Sequence, residues 1–423
     1  MPSDFNNESS APRPAVPPAD QAPRARRERP LRIGMIHLSD FRLDSRIQRQ
    51  ARALAERGDE VDLVCIGERE ELRVGDGVIR VHPVPGGKAV GGASSYLTSY
   101  GAFLARAMWR ITALDLRRPF DLVEAHNMPD LLTAAALVPR LRGTPVILNA
   151  HDTFPELFAT KFNLPLIHPL VRLLEREERL SAALASHVIV VTEQARRRLE
   201  SRGVGVGHSS VVMNSPDEGV FGPPRPPLQL PAAGQPLRLL YHGGLAPRFG
   251  VETLIRSFTR LRETMPHLQA RICGSGEDRD RLAALAAQID PERIDVAKDP
   301  IPFEQIPAEL EAAHIGVVPT LHDHFTELLL PVKLLEYVHM GLPVVSSRLP
   351  GIESYFSDAD LQPFTAGDPE DLAKAIEAVC ADPANARERA ASATMRLADI
   401  TWDSQRTRYL ALVDELVARR VAR

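Results

Sequence analysis

From Leu31 onward, short apolar runs alternate with stretches whose apolar residues recur every three or four positions. Runs at 31–37 and 61–66 predict buried strands. Between them, 45–57 predicts a helix with Ile47, Ala51 and Leu54 on one stripe and Gly58 as its terminator. The alternation continues with strands at 121–125, 145–150 and 187–191 and helices at 130–141 and 166–185. A second series places strands at 237–241, 269–273, 315–318 and 343–346, and helices at 250–260, 278–288, 332–340 and 369–381. The last helix, 402–421, gathers Tyr409, Leu410, Leu412, Val413, Leu416 and Val417 toward one side. Strands that alternate with helices predict parallel sheets covered on both faces. The expected class is therefore α/β, with two Rossmann-like doubly wound parallel-sheet domains facing across a cleft.

Two segments break the pattern. Residues 1–30 are rich in proline and carry a basic run at 24–29, and they cannot bury enough apolar surface to offset the entropy of ordering. A disordered tail is expected there. Residues 222–236 hold Pro223, Pro224, Pro226, Pro227, Pro231 and Pro236, which rules out a helix or a central strand and suggests an interdomain linker. The expected domains are then 31–221 and 237–401, with 402–423 a terminal helix packing back toward the N-terminal domain. Ligands of such sheets bind beyond the carboxyl ends of the strands, so the cleft is the expected site.

Composition narrows the class. Hydrophobic residues at 44% and charged residues at 25% are ordinary for a globular chain. A net charge of −4 argues against nucleic acid as the partner. Cys65, Cys273 and Cys380 are too scattered for a disulfide framework or a zinc motif, which fits a reducing cytoplasm. Neither a transmembrane run nor a signal-like N-terminus is visible. The basic amphipathic stretch 96–118, with Phe103 and Trp109, has two readings: peripheral contact with anionic lipid at the inner face of the cell membrane, or ordinary core packing.

The densest chemical signal is Leu330-Pro331-Val332-Lys333-Leu334-Leu335-Glu336-Tyr337, followed by Gly341-Leu342-Pro343-Val344-Val345. Lys333 and Glu336 share a face at a helix N-terminus, where free N–H groups and the dipole favour an anion. An ammonium there suits a diphosphate, and a carboxylate one turn on suits the vicinal diol of a ribose. A surface ion pair is the bland alternative. In Tyr241-His242-Gly243-Gly244-Leu245-Ala246-Pro247-Arg248-Phe249-Gly250, a strand-to-helix connection, two glycines permit close backbone approach and Arg248 offers a planar fork for phosphate. Gly274-Ser275-Gly276-Glu277 ends another strand, and as a dinucleotide fingerprint it is incomplete.

Taken in order, these segments resemble the retaining GT-B-fold glycosyltransferases of family four, the group 1 type. Leu43-Asp44-Ser45-Arg46-Ile47-Gln48-Arg49, Ala150-His151-Asp152-Thr153-Phe154-Pro155-Glu156 and Val212-Met213-Asn214-Ser215-Pro216-Asp217 match further segments of that family. The resemblance covers residue 31 to the end. It implies transfer of a sugar from a nucleotide diphosphate sugar to a glycan or lipid-linked acceptor, with retention, in cell-surface polysaccharide or glycoconjugate synthesis. It further implies Arg248 and Lys333 on the donor diphosphate, Glu336 on the ribose, and Gly243, Gly244, Gly274 and Leu334 lining the donor. His151 would face the reacting sugar, and Asp44, Arg46 and His126 would lie on the acceptor side. Glu327 stands one residue before the position of the family's usual first glutamate, and the resemblance implies a catalytic role for it at the donor sugar or its neighbouring backbone; Phe249 stands where many members carry a lysine. No cofactor and no metal are expected, Asp358-Ala359-Asp360 being read as a solvated turn. The competing readings are a nucleotide-sugar 2-epimerase and a catalytically degenerate scaffold.

Overall fold

A computed structural model describes residues 29–86, 93–232 and 234–421. All but the end of the expected tail lies outside them. The first sheet contains β1 (Arg32–Asp40), β2 (Glu60–Ile66), β3 (Glu70–Val74), β4 (Gly77–Pro83), β5 (Leu122–His126), β6 (Val146–Ala150), β7 (His187–Val190) and β8 (Ser209–Val211). Its order is β3-β4-β2-β1-β5-β6-β7-β8, parallel except for the β3–β4 hairpin. The second contains β9 (Leu237–Gly244), β10 (Leu268–Ser275), β11 (Ile294–Val296), β12 (Ile315–Val318), β13 (Val344–Ser347) and β14 (Gln362–Phe364). It runs β11-β10-β9-β12-β13-β14 and is parallel throughout. Two Rossmann-like α/β sheets of the GT-B type result.

Alternation along each strand sends successive side chains to opposite faces. Ile33 and Met35 of β1 join one core with Ile47, Ala51 and Leu54 of helix Ser45–Glu56, whereas Ile36 and Leu38 join another with Phe103 and Ile111. In β9, Leu239 and Tyr241 face one core and Leu240 the other. Helix Trp402–Val421 lays Tyr409, Leu410, Val413 and Leu416 into the core beneath the first sheet.

Several expectations needed adjustment. Instead of one helix over 130–141, a 3₁₀ stretch, Asp130–Ala136, precedes a short α-helix, Leu137–Leu141. The restart leaves Pro139 in a first turn, where its missing N–H costs nothing. The hairpin β3–β4 and helices Phe154–Lys161, Glu193–Ser201 and Pro383–Leu397 were not anticipated. Residues 222–232 carry no regular structure after Gly222, yet are tied down: the Arg225 N–H donates to the His339 carbonyl at 2.8 Å and that of Leu228 to Gly341 at 2.8 Å.

Helix Ala93–Arg117 buries Phe103, Ala107, Ile111 and Leu114, so core packing accounts for that face, while Trp109 is 68% exposed. Among the described residues no helix is long and apolar enough to cross a membrane.

Candidate functional site

The glycine connection expected after residue 241 is still strand: β9 runs on through Gly244, with Gly243 beside Gly274 and Gly244 beside Ser275 of β10. The backbones approach so closely that a Cβ on Gly274 would fall 1.9 Å from the Gly243 carbonyl oxygen. Gly243 has φ +125°, and a Cβ there would meet Lys333 Nζ at 2.9 Å. The chain then makes a single turn, Pro247–Phe249, before helix Val251–Thr264.

Helix Val332–His339 starts after Pro331, with its first turn aimed at this strand end. Lys333 is only 9% exposed; its Nζ donates to the Tyr241 hydroxyl at 2.7 Å and stands 4.0 Å from that ring's centroid. Tyr241 in turn donates to the Gly244 carbonyl at 2.6 Å. The same ammonium lies 5.0 Å from the centroid of Phe249, and Arg248 Cζ lies 4.7 Å from it. Arg248 Nε is buried without a hydrogen-bond partner. Among the described residues neither cation forms an ion pair, whereas most arginines of the chain do. Burial pushes the Lys333 ammonium down to about 7, with Glu336 pulling weakly the other way.

Glu336 is 5% exposed, so the pair is no surface feature. Burial raises its carboxyl to about 7 against the charges of Arg49 and Lys333. His242 Nε2 approaches Glu336 at 3.2 Å, and burial together with the Lys333 charge lowers that imidazole to about 3. Leu334, expected to line the donor, has its side chain fully buried in the core with Leu335 and Tyr337.

On the opposite wall, β5 ends in His126 and His151 directly follows β6. His126 Nδ1 and His151 Nε2 are 3.0 Å apart and the rings lie within 10° of parallel. Both are fully enclosed and neutral, burial pushing each well below its ordinary value. Asn127 Oδ1 accepts the His151 backbone N–H at 2.8 Å, and His151 Nδ1 has no partner. Asp44 caps helix Ser45–Glu56 and pairs with Arg46 at 2.8 Å. Burial opposes its ionisation, but His37 and Arg46 hold the carboxyl well below the usual carboxylate range. Arg46 also reaches toward Asp152, 4.0 Å away.

Beside Arg248 lies a cavity of about 710 Å³, lined among others by Thr160, Lys161, His322, Asp323 and Glu327; Lys333, Glu336 and the two histidines lie outside its lining. Glu327 accepts from Arg198 Nη2 at 2.6 Å, a tie between the two sheets' units. Thr160 Oγ1 donates to Asp323 at 3.0 Å and Thr192 Oγ1 to the Leu328 carbonyl at 2.8 Å, closing the same seam.

The Asp358–Asp360 turn is only half solvated. Asp358 pairs with Arg348 at 2.7 Å in the open, but Asp360 is buried and accepts from Ser357 and Ser392. Among the described residues no cluster of three or more potential metal ligands occurs.

Reading by motif missed four participants. Tyr241 and Phe249 form the aromatic walls of the cation site, Arg49 senses Glu336, and Glu124 lies behind the histidines. Arg49, Tyr241 and Phe249 lie inside quoted motifs that could have pointed to them, whereas Glu124 carried no such signal.

Comparison with known proteins agrees with this architecture. The model of the glycosyl transferase 4-like domain matches residues 43–215, and that of the glycosyl transferases group 1 matches 236–382. A glycogen synthase of Mycobacterium tuberculosis is 30% identical over 174 residues; the match spans 41% of this chain and 41% of that relative's length. Sucrose-phosphate synthase from Thermosynechococcus elongatus superimposes with a TM-score of 0.73 at 18% identity, over 92% of this chain and 100% of the other. HepE from Anabaena, solved with UDP and glucose, gives 0.66 at 13% identity over 91% and 100%. The two matched domains follow one another along the chain in the order of the two sheets, and the protein belongs to the group 1 glycosyltransferases of GT-B fold.

Proposed function

We propose that this protein transfers a sugar from a nucleotide diphosphate sugar to a glycan or lipid-linked acceptor, with retention at the anomeric carbon and without a metal. One observation carries the reading: Lys333 and Arg248 stand at the carboxyl end of β9 against the same Phe249 ring, and among the described residues neither forms an ion pair, Glu336 acting on Lys333 only from a distance. Burying unpaired cations is costly unless an anion completes them. A diphosphate is an anion of the right charge, and Arg248 offers it a planar fork while Lys333 offers a point charge.

The chemistry follows from charge. As the bond from the anomeric carbon to the diphosphate loosens, negative charge grows on the phosphate oxygens, and two fixed cations favour that state over the ground state. Glu336, as the ionised carboxylate, accepts from the ribose hydroxyls. His151, neutral and enclosed across the cleft, hydrogen-bonds the sugar being transferred; Asp44, Arg46 and His126 shape the acceptor side. The solved relative holding UDP and glucose supports a nucleotide sugar as donor.

A thermal-shift panel of nucleoside diphosphates and their sugars tests the reading, because a ligand that binds only the native state raises its melting temperature. At least one nucleotide should stabilise the wild type and fail to stabilise Lys333→Met. A panel with no stabilising nucleotide would tell against it.

A further inference from the structure

We propose that Glu124 is a positioning residue that fixes the protons of the His126–His151 pair, so that His151 Nδ1 meets the transferred sugar as a hydrogen-bond acceptor. The proposal rests on the reading that His151 faces that sugar. Glu124 and His126 are two residues apart on β5 and therefore share a face, the one packed against helix Trp402–Val421. The carboxyl group is completely buried. Tyr409, from that helix, donates to Oε2 at 2.6 Å, and Asn149 Nδ2, from β6, donates to Oε1 at 2.7 Å. Gln50, from helix Ser45–Glu56, holds Asn149 from its other side at 3.0 Å. No arginine or lysine pairs with Glu124 among the described residues, and His126 Nε2 stands 3.7 Å from Oε1, beyond hydrogen-bond distance, buried and without another partner.

The order of protons follows from donor and acceptor chemistry. An amide NH₂ only donates, so Oε1 presents lone pairs both to Asn149 and to the space in front of His126. A bare Nε2 on His126 would set lone pair against lone pair, whereas Nε2–H points a positive edge at the carboxyl oxygen. With its proton on Nε2, neutral His126 has an unprotonated Nδ1, which must accept across the 3.0 Å contact. His151 therefore carries Nε2–H, and its Nδ1, buried and unpartnered, is left as an acceptor. A sugar hydroxyl can donate to it; a carbonyl or phosphate oxygen cannot.

Ring ¹⁵N NMR of the full chain with labelled histidine reads this directly and requires no nucleotide, so it stands or falls apart from the donor assignment. His126 and His151 should both be Nε2–H in the wild type and in Glu124→Gln, whose carbonyl oxygen can still face Asn149. In Glu124→Leu, with no acceptor, the pair should lose its single tautomer. His151 found as Nδ1–H in the wild type would overturn the proposal without any variant having to fold, and so would an unchanged tautomer in folded Glu124→Leu. The second readout is affinity. UDP-glucose should bind Glu124→Leu about fivefold more weakly, the loss expected for one hydrogen bond, while UDP binds as before. Equal weakening of both ligands would remove the sugar contact from the account.

Discussion

Lys333 and Arg248 stand against one aromatic ring: Nζ and Cζ lie 5.0 Å and 4.7 Å from the centroid of Phe249. Each cation is partly desolvated, and the ring's quadrupole relieves only part of that cost. A bound diphosphate would relieve the rest. Replacing either residue by methionine should therefore weaken nucleotide-sugar binding by about tenfold to a hundredfold, the range of one charge-assisted hydrogen bond, with the melting temperature kept or raised. Calorimetric titration beside thermal melts checks both halves.

Donor binding should be pH-dependent with a maximum near neutrality. Burial lowers Lys333 to about 7, so above that pH the free protein must take up a proton to bind, and affinity falls by up to about tenfold per pH unit. Glu336 is raised to about 7, so below that pH it is protonated and serves the ribose less well. Lys333→Met should remove the alkaline limb and Glu336→Gln the acid limb. Titration of affinity across pH 5.5–8.5 (about three units around the two groups) distinguishes these outcomes.

Gly243→Ala should mimic part of the Lys333 loss while leaving its charge in place. The new Cβ would meet Nζ at 2.9 Å, and φ of +125° is unfavourable for alanine. We expect weaker donor binding and a stability loss of about 1–3 kcal/mol, read from binding and denaturant titration on the same preparation.

Glu327 should behave as a tie between the two units. Its contact with Arg198 is 2.6 Å, and both side chains are partly solvated, so Glu327→Gln should cost at most about 1 kcal/mol of stability. If it also served the donor sugar, Glu327→Gln would weaken the stabilising nucleotide sugar more than its nucleoside diphosphate; Arg198→Met would not. Comparing the two ligands on the two variants decides its role.

Much of this was legible in the chain. Short apolar runs alternating with 3.6-residue stripes predicted two parallel α/β sheets, and the lysine and glutamate three apart on a proline-started helix were legible as a buried pair at a strand end only once the fold was known. Tyr409 was visible only as one of six apolar-side residues of a terminal helix; its hydrogen bond to Glu124 joins residues 285 apart. Phe249 read as a lost lysine, because its role lies in which side chains approach its ring, and spacing does not encode that. Leu334 sits inside the same motif with its side chain in the core, since a helix buried on most sides spends its apolar residues on packing.

Tyr409→Ala should then be costly well away from the donor. Removing a fully buried aromatic beneath the first sheet is expected to destabilise the fold by about 3–5 kcal/mol. Chemical denaturation measures it.

The central claim is that two unpaired cations grip a diphosphate, and one comparison isolates it. The best-binding nucleoside diphosphate of the panel is titrated beside its own nucleoside into the wild type and into the Arg248→Met/Lys333→Met double variant. The account predicts that the diphosphate binds the wild type far more tightly than the nucleoside does, and that this advantage vanishes in the double variant. A double variant that keeps the full diphosphate advantage would contradict it.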